Sequence, residues 1–274
     1  VCHETYKDPD NNWVSPEEIE TIEGVKYLKD DKSKEIKIGP SESMSKSKKN
    51  TIDPEKIISN YGADAARLFI LSDSPPEKDV QWSEEGIASS FKFVQKLWNL
   101  NSKILEEVKK NHDKNHDQEI TKFTNKLIKK ITENLENFSY NKIIANLHEM
   151  HSFMFKQIKK NYSKKTLIEN YQKILILISP VMPHFASECM ETIGVKDHNI
   201  EWPKFQEKFV QDEKINIVIQ INGKKRGIIS LKKDTEENEI IDLIKKDTKL
   251  FKYLDSKEIR KKIFVKNKII NLIV

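Results

Sequence analysis

Residues 41–54 read SESMSKSKKNTIDP, a run that places three lysines among four serines around Met44 and then enters Asp53-Pro54. Asp53 is a natural N-cap and Pro54 suits the first helical position, so the run ends where a helix is predicted to begin. A Lys/Ser run of this kind is most often a solvated surface loop. The alternative is a flexible cationic loop that closes over a polyphosphate, and the flanking sequence has to distinguish the two.

The loop and the residues after it follow a specific order. They are Met44-Ser45-Lys46-Ser47, Asn50, Asp53-Pro54, Tyr61-Gly62-Ala63-Asp64 and Arg67. Spread in this order over 24 positions, they resemble the second signature of class I aminoacyl-tRNA synthetases, which is the Lys-Met-Ser-Lys-Ser loop and the helix after it.

Two later segments extend the resemblance. Residues 178–186 (ISPVMPHFA) are similar to the kinked helix of the class Ia anticodon-binding bundle, and Glu201-Trp202-Pro203 to the segment that ends that bundle. Within the subclass, the chain most resembles the bacterial-type leucyl-tRNA synthetases. The segments that carry this likeness are VCHETY (1–6), VQWS (80–83), INGKKRG (221–227) and the closing IFV and NLIV (263–274).

The resemblance implies an ATP-binding role for Met44, Ser45, Lys46 and Ser47, with Lys46 as the catalytic residue. Negative charge builds on the leaving pyrophosphate in the transition state, so a cation that reaches those oxygens only then accelerates the reaction. The family's first lysine is Ser43 here. We expect either that this cation is dispensable or that Lys48 or Lys49 supplies part of its charge.

The same resemblance implies which partners the full-length enzyme has. It would use leucine, ATP (as MgATP) and tRNA(Leu), and would act as a monomer. The chain begins at Val1, after the place where the family carries its first signature. We therefore expect a C-terminal portion of leucine–tRNA ligase that is inactive alone. The seven histidines and two cysteines show no convincing metal-ligand spacing, so no metal site is predicted in this chain.

Hydrophobic periodicity and the resemblance together predict a multidomain, mainly α-helical chain. Residues 1–82 are expected to be the last part of a class I α/β catalytic domain, with a small leucine-specific-type insertion at about 13–40 and the signature loop at 43–47. Residues 83–205 are expected to form the anticodon-binding-type helical bundle. Residues 214–274 are expected to form a small α+β domain that binds tRNA.

Several local expectations follow from residue patterns. Glu35 to Ile38 alternates like an exposed strand that ends at Gly39-Pro40. Apolar residues at helical spacing, Trp98 and Phe138 among them, are expected to face the bundle core, and residues 111–118 are expected to be a polar loop. Pro180 and Pro183 should break or kink the helix that contains them.

Positive charge is concentrated in two stretches. The net charge is +5, whereas residues 101–178 carry +6 and residues 214–274 carry +8. This asymmetry indicates a polyanionic partner for the basic stretches. In the tail, Lys224, Lys225 and Arg226 follow a predicted Asn222-Gly223 hairpin turn, and we expect them to bind tRNA. The alternative is a solvated turn on a lysine-rich protein.

Composition excludes several classes. With 37% hydrophobic and 33% charged residues the chain is globular, and its longest aliphatic run is far too short to span a bilayer. We therefore expect a reduced, cytoplasmic protein without membrane contact. The remaining alternatives are a valyl, isoleucyl or methionyl synthetase, a stand-alone tRNA-binding module, or a nuclear-targeting basic loop at residues 46–49.

Overall fold

A computed structural model describes residues 1–72, 75–110, 117–160, 162–195, 200–210, 214–254 and 258–274. The chain divides into two compact units, Val1–Gln206 and Glu207–Val274. No helix within the described ranges is both long and apolar enough to cross a membrane.

The first unit begins with five short strands in two sheets. These are β1 (Cys2–Lys7), β2 (Ile19–Ile22), β3 (Val25–Leu28), β4 (Asp31–Glu35) and β5 (Lys37–Ser43). β1 pairs with β5 in an antiparallel ribbon, while β2, β3 and β4 form a separate antiparallel sheet. Tyr6, Val14 and Ile36 form a small core between these pieces.

The expectation that a strand ends at Gly39-Pro40 is wrong, because β5 continues through both residues to Ser43. The ribbon has a bulge here: Ser41 pairs with Glu4 and Ile38 pairs with Tyr6, so Gly39 and Pro40 both lie opposite Thr5. A bulge tolerates proline because the missing N–H has no ladder partner to lose. A Cβ on Gly39 would lie 2.4 Å from Thr5 Oγ1, so glycine is required by the close approach of the two strands.

In the described part of the first unit, seven α-helices follow. They are α1 (Pro54–Tyr61), α2 (Ala63–Ser72), α3 (Glu84–Val108), α4 (Asp117–Glu136), α5 (Tyr140–Gln157), α6 (Lys164–Ile178) and α7 (Pro183–Thr192). Their apolar faces share one continuous core, as the periodicity predicts. The helix predicted to break or kink at its prolines breaks there, because α6 ends before Pro180 and α7 begins at Pro183.

Two aromatic residues lie outside the predicted core. Trp98 is 38% exposed because the buried side of α3 runs through Phe93, Leu97 and Leu100. The Trp98 ring contacts the Phe185 ring in an edge-to-face arrangement. Phe138 is 63% exposed, since α4 has already ended and this residue turns the chain with a φ of 51°. Of the predicted loop at 111–118, residues 111–116 lie outside the described residues, and the last two belong to α4.

The second unit is a small α+β fold, as the tail sequence predicts. Its elements are α8 (Glu207–Val210), β6 (Lys214–Ile221), β7 (Lys224–Lys232), α9 (Glu237–Lys246), α10 (Thr248–Phe251), β8 (Lys261–Val265) and β9 (Ile269–Ile273). The strands form one sheet in the order β7-β6-β9-β8, with β6 and β9 parallel at its centre. Isoleucine and leucine side chains from the sheet, α9 and α10 make a core that belongs to this unit alone.

Candidate functional site

The signature loop is a single tight turn between a strand and a helix. β5 ends at Ser43, Ser45 begins a 3₁₀ turn over Lys46–Lys48, and the Lys48 N–H donates to the Ser45 carbonyl at 3.2 Å. Lys49 then adopts the left-handed conformation, with a φ of 53°, and reverses the chain into Asn50. The tip therefore projects from the ribbon with few backbone bonds of its own.

The three lysines of the loop differ in their electrostatic partners. Lys48 Nζ forms an ion pair with Glu42, and Lys49 Nζ lies 3.8 Å from a Glu18 carboxylate oxygen. Lys46 is exposed, and no described residue offers its side-chain ammonium group an ion-pair or hydrogen-bond partner. The expectation that Lys48 or Lys49 supplies part of the missing first lysine's charge stays a prediction, and each of these two ammonium groups faces a carboxylate. Lys46 is the cation in this loop best able to meet a phosphate.

The remaining loop residues predicted to bind ATP lie beside Lys46. The hydroxyl oxygens of Ser45 and Ser47 are 2.7 Å apart and share one hydrogen bond, so one hydroxyl hydrogen is left to donate to a ligand. Met44 is half-buried, and its N–H donates to the Val1 carbonyl at 3.2 Å. The structure thus brings the four predicted residues together around one exposed turn.

Helices α1 and α2 carry the second half of the signature, and the structure gives two of its residues a clear role. Asp64, which is buried, accepts hydrogen bonds from the Phe185 N–H at 2.6 Å and the His184 N–H at 3.4 Å, and lies 2.9 Å from His184 Nδ1. It therefore caps the N-terminus of α7 from a different helix. The sequence pattern included Asp64 but could not show what it binds.

Arg67 completes this connection one turn later on α2. Its Nε donates to the Val181 carbonyl at 3.0 Å and its Nη2 to the Pro180 carbonyl at 2.8 Å. These carbonyls lie in the break between α6 and α7, where helical bonds are interrupted. Asp64 and Arg67 together fasten the proline break of the bundle to the helix that follows the signature loop.

The Trp-Pro segment closes the bundle by contacts with α4. Trp202 Nε1 donates to Thr132 Oγ1 at 2.9 Å, and the Gln206 N–H donates to Asn125 Oδ1 at 2.7 Å. This segment is the last part of the first unit.

The predicted tRNA contacts in the tail directly follow the predicted turn, and they differ in their surroundings. Lys224 and Lys225 are exposed at the start of β7, paired with Ile221 and Gln220, and no described carboxylate pairs with them. Asn222 and Gly223, with φ values of 50° and 75°, form the predicted turn before them. Arg226 occupies a bulge, and its guanidinium lies 4.2 Å from the centre of the Tyr253 ring. All three cations thus lie on the strand itself rather than at the tip, and Arg226 already has a partner.

Two histidines of α5 pack against aromatic rings. His148 stacks on Phe93 with ring centres 3.7 Å apart, and His151 meets the same ring edge-on at 6.0 Å. Burial lowers the pKa of both imidazoles, and the positive charge of Lys96 adds to that effect. Among the described residues, no group of three or more His, Cys, Asp or Glu side chains could hold a metal ion.

Comparison with known proteins finds relatives that cover the whole chain. Residues 39–83 match the model for tRNA synthetases class I (I, L, M and V), and residues 117–241 match the anticodon-binding domain of tRNA ligase. Leucine–tRNA ligase of Orientia tsutsugamushi is 38% identical over 281 residues, covering 100% of this chain and 33% of that protein. The enzyme of Bartonella quintana is 36% identical over 293 residues, with the same coverage.

A solved structure shows the same fold. The leucyl-tRNA synthetase of Agrobacterium radiobacter K84, crystallised in a ternary complex with tRNA and LeuAMS, matches with a TM-score of 0.72 and 24% identity over 84% of this chain and 31% of that one. The chain spans about a third of the length of the curated relatives it matches. The resemblance and the mainly helical fold predicted from the residues are confirmed.

Proposed function

We propose that this chain supplies the pyrophosphate-stabilising loop and the tRNA-binding parts of a leucine–tRNA ligase. The whole chain is similar to about a third of the length of such an enzyme. The reaction joins leucine to tRNA(Leu) in two steps. A leucine carboxylate oxygen attacks the α-phosphorus of ATP and pyrophosphate leaves; a ribose hydroxyl at the tRNA 3′ end then attacks the leucyl carbonyl and AMP leaves. By this proposal the chain alone does not complete either step.

Lys46 acts in the first step. As the bond to the β-phosphate breaks, charge moves onto the leaving pyrophosphate, and an ammonium group that contacts those oxygens stabilises this state more than bound ATP. Lysine suits the task because its charge sits at the end of a flexible stem. A hydroxyl of Ser45 or Ser47 adds a hydrogen bond to the same phosphates. ATP enters with Mg²⁺, for which the described residues of this chain offer no side-chain cluster.

The observation that carries this proposal is the difference among the loop lysines. Lys48 and Lys49 face carboxylates that cancel much of their charge at short range, whereas Lys46 is exposed and unpaired in the described structure. The unpaired lysine also stands at the position that the signature assigns to catalysis.

Replacement of Lys46 tests the assignment in the full-length enzyme. We expect Lys46→Ala to slow leucyl-adenylate formation by about 10²- to 10³-fold, the scale of one lost transition-state donor. Pre-steady-state measurement of pyrophosphate release gives this rate directly. Lys48→Ala is the matched control, and we expect it to change the rate by less than about threefold, because its ammonium group is directed to Glu42 in a surface ion pair. A Lys46→Ala rate within threefold of wild type would sink the assignment.

The helical bundle and the tail handle the second substrate. Helices α4 to α7 of the bundle lie within the match to an anticodon-binding domain, and the tail carries the higher positive charge, both of which support contact with the tRNA backbone. Lys224 and Lys225 are the proposed tail contacts, with Arg226 beside them on Tyr253. We further propose that the complete enzyme is a cytoplasmic monomer.

A further inference from the structure

Asn50 is fully buried, with 0% exposure, although it is polar and the residues before it in the loop are mostly exposed. A polar side chain in such a position is destabilising unless its hydrogen-bonding capacity is used. Asn50 lies where the loop rejoins the fold, so its role depends on the groups to which its side chain is hydrogen-bonded there.

The Asn50 amide group connects three separate backbone segments. Its Oδ1 accepts from the Ser45 N–H at 2.8 Å, where the turn begins. Its Nδ2 donates to the His3 carbonyl in β1 at 3.3 Å and to the Glu42 carbonyl in β5 at 3.2 Å, with the Ser43 carbonyl at 3.5 Å. Acceptor and donor are therefore both used, and both ends of the loop are joined to the ribbon through one side chain.

The residues between these two ends are held much more weakly. Within 46–49, the Lys48 and Lys49 N–H groups bond only to carbonyls of the same turn, at 3.2 Å each. The side-chain contacts are one exposed hydroxyl bond between Ser47 and Ser45 and two ion pairs at the surface, which contribute little. The boundary between the fixed and the yielding part of the loop thus falls at Ser45 and Asn50.

We propose that Asn50 is a positioning residue that fixes the base of the signature loop, so that residues 46–49 move alone when Lys46 reaches the leaving pyrophosphate. This inference rests on the proposed function. Without the Asn50 bonds the base would move as well, and Lys46 would spend less time in reach of the phosphates. Asn50 touches no substrate in this scheme and acts only through Lys46.

Limited proteolysis of this 274-residue chain tests, independently of activity, whether Asn50 fixes the base of the loop. Trypsin cleaves after Lys46, Lys48 and Lys49, so its rate in the loop reports how often residues 46–49 and their base open. We expect Asn50→Ala to raise that rate roughly tenfold, the scale of one or two lost buried hydrogen bonds. Asn50→Asp, which keeps the acceptor for Ser45 but turns an oxygen toward the His3 and Glu42 carbonyls, should do the same and serves if the alanine variant does not fold.

Asn101 provides the matched control. It is 3% exposed and accepts a hydrogen bond from the Tyr171 hydroxyl at 2.9 Å, deep in the bundle of the same unit. Asn101→Ala should destabilise the unit by a comparable amount and leave loop cleavage unchanged. Cleavage at the wild-type rate in both Asn50 variants, or equal acceleration by Asn101→Ala, would overturn the proposal.

Adenylate formation by the full-length enzyme separates positioning from simple destabilisation. We expect Asn50→Ala to lower the activation rate about tenfold or more with the KM for ATP within threefold of wild type, and the Lys46→Ala, Asn50→Ala double variant to be no slower than Lys46→Ala. Multiplied losses in the double variant would show that Asn50 acts independently of Lys46, against the proposal. A normal rate for Lys46→Ala itself would instead refute the proposed function, while the proteolysis result would still decide whether Asn50 fixes the loop.

Discussion

At the scale of single residues, Lys49 holds a backbone conformation that disfavours its own side chain. Its φ of 53° lies in the left-handed region, which costs an L-residue about 1–2 kcal/mol relative to ordinary conformations. The turn needs this conformation to bring Asn50 back under the ribbon. The cost is thus part of how the loop is closed, and it falls on a residue whose charge is partly offset by Glu18.

Lys49→Gly should therefore stabilise the first unit by about 0.5–1 kcal/mol. Glycine adopts a positive φ without steric cost, although it loses more entropy on folding, and the net effect is the difference of the two. Lys48→Gly is the control of opposite sign, because Lys48 lies inside the 3₁₀ turn and gains nothing from a positive φ. Urea unfolding of both variants measures the free energies. If Lys49→Gly lowers the free energy of unfolding as much as Lys48→Gly does, the backbone of Lys49 is not strained.

At the scale of elements, the link between α2 and α7 depends on one carboxylate. α7 begins at Pro183 after Met182, whose side chain cannot accept a hydrogen bond from the helix N-terminus. Asp64 supplies the acceptor from α2, while Arg67 binds the carbonyls just before it. Since α2 follows the signature loop and α7 ends the bundle, these two residues fix how the part around the loop meets the bundle within the first unit.

Asp64→Ala should destabilise the first unit by about 2–3 kcal/mol. The substitution leaves the buried Phe185 N–H without an acceptor and removes charge-assisted hydrogen bonds. Asp53→Ala is the matched control: Asp53 caps α1 at an exposed site by accepting from the Glu55 N–H at 2.9 Å, and its loss should cost about 1 kcal/mol. Denaturant unfolding of both variants provides the comparison. Equal losses would mean that Asp64 is only an ordinary cap.

At the scale of the whole molecule, the chain combines two units with separate cores. The loop with Lys46 lies in the first, and the exposed cations Lys224 and Lys225 lie in the second. Contacts made by the tail can therefore change without altering the loop. This separation predicts that tRNA affinity and the activation step respond to different substitutions.

The salt dependence of tRNA binding tests the tail. Each phosphate contact releases counterions and adds roughly 0.7–0.9 to the log–log slope of affinity against salt. Replacement of Lys224, Lys225 and Arg226 by Ala should lower the slope by about two and weaken binding, with activation unchanged. Lys245→Ala with Lys246→Ala, which removes exposed charges at the end of α9, should leave the slope nearly as it was. Parallel slopes and equal affinities for wild type and the triple variant would remove the hairpin as a contact.

Much of the local structure could be predicted from the sequence because its causes lie within a few residues. Asp53 and Pro54 start α1, Gly62 ends it with a φ of 82°, and Asn222-Gly223 turns the tail hairpin. The helical period of the bundle and the strand alternation of β6 are likewise local patterns. The ordered signature residues and the whole-length likeness to leucine–tRNA ligases also needed no coordinates.

Only the tertiary structure decided what several of those residues bind. The cap of α7 lies 120 positions before the helix that it caps, so no local rule could find it. The same holds for the bulge at Gly39-Pro40 in β5, because it forms opposite Thr5 on a distant strand. It also holds for Asn50, whose partners are carbonyls of two strands. The ion pairs of Lys48 and Lys49 require Glu42 and Glu18, which the fold brings close to them. Hydrogen bonds and ion pairs are short-range in space and indifferent to separation along the chain, so the sequence determined which groups are present and the fold determined which of them meet.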